Sequence, residues 1–136
     1  MTTQTQTMKD FKKYYQIEAA PEEVYAALTN EATIQLWTGD HAEMKPEVGS
    51  EFSMWDGSIV GKILELEEGK KIVQQWYFGE NETDTPSVVT IKLHDDNGDT
   101  SLELRHTNIP DADYTDIVDG WNDTYMADLI DFYEED

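Results

Sequence analysis

Val88-Val-Thr-Ile-Lys-Leu-His-Asp-Asp-Asn-Gly-Asp-Thr-Ser-Leu-Glu-Leu-Arg-His-Thr107 is the stretch on which the reading of this chain turns. Two runs of alternating apolar and polar residues flank Asn97-Gly98, a dipeptide that tolerates the positive φ angles of a two-residue hairpin turn. A turn centred there sets the register without further choice. Leu93 falls opposite Leu102, Ile91 opposite Leu104, Val89 opposite His106, and Lys92 opposite Glu103. Apolar side chains meet apolar ones on one face, and opposite charges meet on the other. The hairpin therefore has one buried face and one wet face, as an antiparallel sheet with a single covered side requires.

Working outward, the same signals recur upstream. Phe52 to Trp55 faces Ser58 to Leu66 across Asp56-Gly57, and that strand faces Lys71 to Phe78 across a turn containing Gly69. Gly79 to Pro86 reads as a polar loop. Alternation begins at Phe11, where Phe11, Lys13, Tyr15 and Ile17 share one face of a first strand. Between this strand and the hairpins the period changes to a helical one. Pro21 suits a first helical turn, Glu22 and Glu23 complement its dipole, and Val24, Ala27 and Leu28 keep helical spacing. A second short helix spans Glu31 to Trp37 and stops at Gly39. Downstream of Pro110, Val118, Trp121, Tyr125, Leu129 and Phe132 recur every three or four residues, predicting one long helix. Gly120 inside it costs about 1 kcal/mol relative to Ala, and predicts a close approach to the sheet. The domain expected is α+β, residues 11–136, with residues 1–10 as a flexible tail.

Composition bounds what such a domain can do. Nine Lys and Arg against 30 Asp and Glu give a net charge of −21 over 136 residues, a field that repels nucleic-acid backbones and anionic membranes. Leu, Ile, Val and Phe total only 28, but four Trp and seven Tyr supply a core out of proportion to their number. Cysteine is absent, which excludes disulfides, thiol nucleophiles and Cys-ligated metals. Met1 to Asp10 has neither a basic nor an apolar run, and no stretch of about 18 apolar residues occurs, so a cytoplasmic protein is expected.

The order strand, helix pair, antiparallel meander, long helix resembles the helix-grip, START-like (SRPBCC) fold. The residues go further. Ala20-Pro21-Glu22-Glu23-Val24-Tyr25-Ala26-Ala27-Leu28-Thr29 resembles the Ala-Pro-x-x-Val-Trp-x-Ala-Leu-Thr opening of the heat-shock-protein-90 ATPase activator-like family. Leu36-Trp37, Val48-Gly49, Gly61 to Leu66, Gly69 to Val73, Trp76, Thr100 to His106 and Gly120-Trp121 follow in the family's order. Tyr25 replaces the usual Trp, and Ser50 stands where a second Gly is common. The resemblance covers Phe11 to Tyr133 and implies a curved antiparallel sheet of about six strands wrapped around the long C-terminal helix, with a cavity between them. It is to the C-terminal domain of the eukaryotic activator, whose additional N-terminal domain makes much of the chaperone contact.

Candidate chemistry is sparse. His106 shares the apolar face of its hairpin, where an imidazole either anchors a ligand's polar group or is a hydrogen-bonded core residue. His94 lies on the opposite face and ~17 Å away along the strand, so the two cannot share a metal. His41 reads as exposed. An EF-hand loop begun at Asp95 would need Gly and an acid where Thr100 and His106 stand, leaving a hairpin turn and no metal. No phosphate loop and no Ser-His-Asp order are recognisable. Trp37, Phe52, Met54, Trp76, Trp121 and Tyr125, with His106 as polar anchor, are the candidate ligand-binding residues. The reading is a non-enzymatic protein without cofactor that binds a small apolar or amphipathic ligand, as a monomer or weak homodimer. Its alternatives are a chaperone-interacting module with an acidic docking surface, and, because relatives of the fold include cyclases, a cavity enzyme.

The charge excess also carries a stability expectation. Ten of the acids fall between Asp111 and Asp136 with no Lys or Arg among them. Mutual repulsion raises carboxylate pKa values in the compact state, so this contribution to stability increases as pH falls from 7 towards 5. Thermal unfolding at pH 7 should accordingly shift upward on adding moderate salt; indifference to salt would show that paired carboxylates outweigh the general field.

Overall fold

The computed structural model describes residues 8–77 and 87–134. In chain order the elements are β1 (Met8–Ile17), α1 (Pro21–Thr29), α2 (Glu31–Thr38), β2 (Glu51–Met54), β3 (Ile59–Glu67), β4 (Lys71–Trp76), β5 (Ser87–Asp96) and β6 (Asp99–Pro110). A 3₁₀ turn (Asp111–Asp113), α3 (Tyr114–Gly120), a π-helical turn (Trp121–Tyr125) and α4 (Met126–Tyr133) complete it. The β5–β6 register is the one the Asn97-Gly98 turn demands: Val89 pairs with His106, Ile91 with Leu104, Leu93 with Leu102, Lys92 with Glu103. Asn97 and Gly98 have φ of 56° and 96°, and Gly98 N–H donates to Asp95 Oδ1 at 3.3 Å.

Both short helices follow their sequence signals. Pro21 opens α1 ahead of Glu22 and Glu23. Asn30 caps α2 by accepting the Thr33 N–H at 3.0 Å, and Gly39 closes it at φ 71°. The Trp37 indole donates to the Ala27 carbonyl at 2.7 Å, pinning α2 to α1. β1 starts at Met8, within the stretch read as a tail; residues 1–7 and the polar loop Gly79–Pro86 lie outside the described residues. Among the described residues no helix is long and apolar enough to cross a membrane.

The six strands form one antiparallel sheet in the order β1-β6-β5-β4-β3-β2. Every strand turns alternate residues to the same side, where Ile17, Phe52, Ile63, Ile72, Ile91, Leu102 and Leu104 join the helices in one apolar cluster. The register of β1 against β6 shifts between Lys9 and Phe11, which is why His106 and then Ile109, three residues on, are both buried. At one edge, β2 is met by Glu43, whose N–H and C=O exchange hydrogen bonds with Ser53 at 2.8 and 2.9 Å. At the other edge stands β1, bearing Lys9, Lys12 and Lys13.

Two expectations require correction. The sheet does not wrap around the C-terminal helix: β1 and β2 remain at opposite edges, and the sheet is open. Nor is that helix a single regular one. The Met126 N–H reaches back to the Trp121 carbonyl, five residues away, so the turn holds an extra residue. That residue rotates the following face, and Met126 and Leu129 come to lie in the core with Trp121 and Tyr125.

A further correction concerns glycine. A Cβ placed on Gly120 meets nothing within 4 Å, so this residue does not mark a close approach. The close approach is at Gly61, between Phe52 on β2 and Trp76 on β4. A Cβ there would collide with the Gln75 carbonyl oxygen and come within 2.9 Å of the Phe52 ring. Gly61→Ala should therefore cost about 1–3 kcal/mol through overpacking. Trp121, 2 % exposed, should cost about 3–5 kcal/mol on replacement by Ala. Urea unfolding checks both; a loss below about 1 kcal/mol for Trp121→Ala would contradict its packing role.

Candidate functional site

His106 is buried in the sheet at its pairing with Val89, and its neighbours fix its protonation. The Trp121 indole Nε1–H, which can only donate, lies 3.0 Å from His106 Nδ1. Nδ1 must then be the acceptor and Nε2 must carry the proton. Nε2 in turn donates to Ser87 Oγ at 2.6 Å, and that hydroxyl donates to the Thr107 carbonyl at 3.2 Å. Burial drives the imidazole down to about 3, against a weak opposing pull from Asp10.

This polarity decides what the Ser87–His106 pair can do. A histidine that activates serine must accept the hydroxyl proton, whereas His106 already holds a proton toward Ser87 and has its other nitrogen occupied. The pair is a structural relay joining β5, β6 and the π turn. His94 is exposed, on the opposite face, 3.2 Å from Glu103 Oε1. Among the described residues no group of three or more His, Asp or Glu stands where it could hold a metal ion.

Aromatic rings extend from this relay. Trp76 stacks on Trp121 with centroids 4.9 Å apart and meets the His106 ring edge-on at 5.1 Å. Tyr125 touches Trp121 at 4.5 Å, Trp37 at 5.3 Å and Trp55 at 5.4 Å. Trp55 sits in the β2–β3 turn at φ 49°, a conformation that costs a bulky residue about 1–3 kcal/mol and persists only where its surroundings enforce it. Here the enforcing contacts are Trp37, edge-on at 5.5 Å, and Tyr125.

The rings line a half-open cavity of about 340 Å³ between the sheet and the C-terminal segment. Trp76, Trp121 and Tyr125 form its floor, Trp55, Ile59 and Ile117 its walls, and Asp40, Ser58, Asp116 and Thr124 its rim. Gly120 also lines it, at helical φ −61° and ψ −41°. Its missing side chain is part of the empty volume.

Of the residues proposed from sequence, Trp76, Trp121 and Tyr125 line this space. Trp37 stands behind Trp55 and Tyr125, and His106 lies beneath Trp76 and Trp121. Phe52 and Met54 are core residues, 3 % and 0 % exposed. Sequence reasoning passed over Trp55, Asp116, Ile117 and Thr124. A signal existed in the helical spacing Asp116, Gly120, Thr124, which puts two polar groups and a gap on one stripe.

Fold and cavity together define the class as a START-like α+β domain. The chain belongs to the family described as Activator of Hsp90 ATPase homolog 1-like protein, whose model matches residues 18–132. The human protein named Activator of 90 kDa heat shock protein ATPase homolog 1 is 29% identical over 110 residues, covering 81% of this chain and 32% of its own length. The Dictyostelium discoideum homolog of that activator is 29% identical over 120 residues, covering 88% and 31%. This chain thus spans about a third of the length of the curated relatives it matches. A crystal structure described as an HSP90 activator from Plasmodium falciparum is 27% identical with a TM-score of 0.81, covering 90% of this chain and 94% of that one.

The relay makes a pH prediction opposite in sign to that of the acidic field. His106 titrates near 6.5 when unfolded and about 3 when folded, so its contribution is complete above pH 6.5 and is lost as pH falls towards 3. His106→Gln keeps a donor and an acceptor but cannot titrate. The stability advantage of the parent over this variant should shrink by about 1.4 kcal/mol per pH unit below 6.5. Urea titrations at pH 7, 6 and 5 measure it, and a constant advantage would show that the imidazole titrates alike in the folded and unfolded chain.

Proposed function

We propose that this chain is a cytoplasmic, non-enzymatic module that regulates a 90-kDa heat-shock chaperone by stimulating its ATPase. The observation that carries this reading is the near end-to-end likeness to the Plasmodium falciparum HSP90 activator, 94% of whose chain is covered. The chain in that structure is thus little longer than the segment matched here. The longer relatives devote about two thirds of their length to other sequence, so a weaker effect than theirs is consistent with the reading. The net charge of −21 supports docking on a basic surface of the partner.

A second reading is compatible with the first and rests on Gly120. A helix-interior glycine in ordinary helical geometry, with open space where its side chain would be, sacrifices about 1 kcal/mol of helix stability for room in the cavity. Space kept at that cost supports binding of a small apolar or amphipathic ligand there.

The first reading is tested by steady-state ATP hydrolysis of the chaperone with and without a molar excess of this protein. Stimulation that fades as salt rises is expected; an unchanged rate together with no detectable association would refute it. For the second, Gly120→Ala should raise stability by about 0.5–1 kcal/mol. Gly120→Leu should fill the cavity and abolish quenching of tryptophan fluorescence by apolar probes while the fold persists. Probe binding undiminished in Gly120→Leu would place the ligand elsewhere.

A further inference from the structure

The rim and the rings together define the charge of what the cavity would hold. Among the described lining residues, both ionisable side chains apart from the buried Tyr125 phenol are carboxylates, Asp40 and Asp116, and both are exposed at the rim. Three indoles and a phenol form the space below them. The faces of such rings carry negative electrostatic potential and attract cations within about 6 Å of their centroids. Acid rim and aromatic interior thus favour the same sign of ligand charge.

The protein's own cations are placed elsewhere. Lys12, Lys62, Lys71, Lys92 and Arg105 project from the outer face of the sheet, away from the helices. Among the described residues, the ammonium groups that lie over rings are those of Lys9, Lys12 and Lys13, on Tyr114, Tyr14 and Tyr15. From Asp111 onward the chain has ten acids and no Lys or Arg. Asp40 Oδ1 accepts the His41 N–H at 3.1 Å, which orients the carboxylate without neutralising it.

We propose that the cavity beneath α3 binds a small organic cation, an ammonium group attached to an apolar or aromatic body, and discriminates against neutral and anionic ligands of the same shape. This rests on the ligand-binding reading above and adds the sign of the charge. The body fills the space left by Gly120 against Trp76 and Trp121. The ammonium sits toward Trp55, within reach of Asp40 and Asp116. A fatty acid or other carboxylate-headed amphiphile would bring a third negative charge to this rim and is excluded.

Three probes of matched shape test it: benzyltrimethylammonium, its uncharged carbon isostere neopentylbenzene, and phenylacetate. Binding is read from the indole N–H resonances of Trp76 and Trp121. The ammonium should bind at least tenfold more tightly than the isostere, and phenylacetate not at all. Asp40→Asn/Asp116→Asn should erase the difference, whereas Asp96→Asn/Asp131→Asn, which removes the same net charge elsewhere, should preserve it. Equal affinity for ammonium and isostere would overturn this inference and leave the ligand-binding reading standing. Equal loss in both double variants would also overturn it, by tracing the preference to net charge. Failure of all three probes to perturb either indole would count against the ligand-binding reading itself and take this inference with it.

Discussion

The hydrogen bond from the Trp121 indole to His106 Nδ1 is the constraint around which the rest of this domain is arranged. It joins the C-terminal helical segment to β6, the strand next to the β1 edge, inside an apolar layer, where an unpaired donor or acceptor would cost about 1–3 kcal/mol. Because an indole can only donate, it fixes the imidazole's tautomer, and the tautomer fixes the direction of every hydrogen bond onward through Ser87 to Thr107. With Trp121 held, Trp76 stacks on it and Tyr125 closes against it. The π turn follows from the same requirement: Trp121 and Tyr125 must face the rings while Met126 and Leu129 fill the core beside α2 and β1.

Charge is distributed as sharply as polarity. The outer face of the sheet carries bases and acids in register, with Glu103 placed opposite Lys92 and approached by Tyr14 and His94. Burial works against the Glu103 carboxylate, but hydrogen bonds from His94 and Tyr14 and the charges of Lys12 and Lys92 hold its pKa below the ordinary value. The helical side has less compensation: Lys9 pairs with Asp111 at 3.1 Å, and Lys13 donates to Asn122 Oδ1 at 3.0 Å. An acidic protein can thus keep a locally balanced sheet, with the uncompensated charge gathered around the cavity and the C-terminal segment.

How much of this was legible in the sequence depended on the range of the interaction. The β5–β6 register could be read outright, because a two-residue turn and alternating side chains leave one solution. The helix starts at Pro21 and Glu31 and the stop at Gly39 were equally local. The π turn was not visible, since apolar residues every three or four positions describe a helix whether or not one residue is inserted. Openness of the sheet depends on how far β1 and β2 stay apart, which no single segment encodes. Gly120 was singled out for its cost, but whether the gap faced backbone or empty space was a tertiary question. Trp55 was read as the end of a strand, and its place in the cavity wall comes from the left-handed turn it occupies. His106 was placed on the correct face, while its partners, Ser87 and Trp121, lie 19 and 15 residues away in sequence.

An open sheet has two rows of backbone groups to account for, and this one treats them differently. The β2 row is met by Glu43, which satisfies Ser53 from outside the sheet. The β1 row carries Lys9, Lys12 and Lys13 within five residues. Were a second copy to extend the sheet by antiparallel pairing along β1, the two lysine triplets would be brought against each other, at a separation where water screens them poorly. Positive charge along β1 would thus disfavour the edge-to-edge joining of two copies.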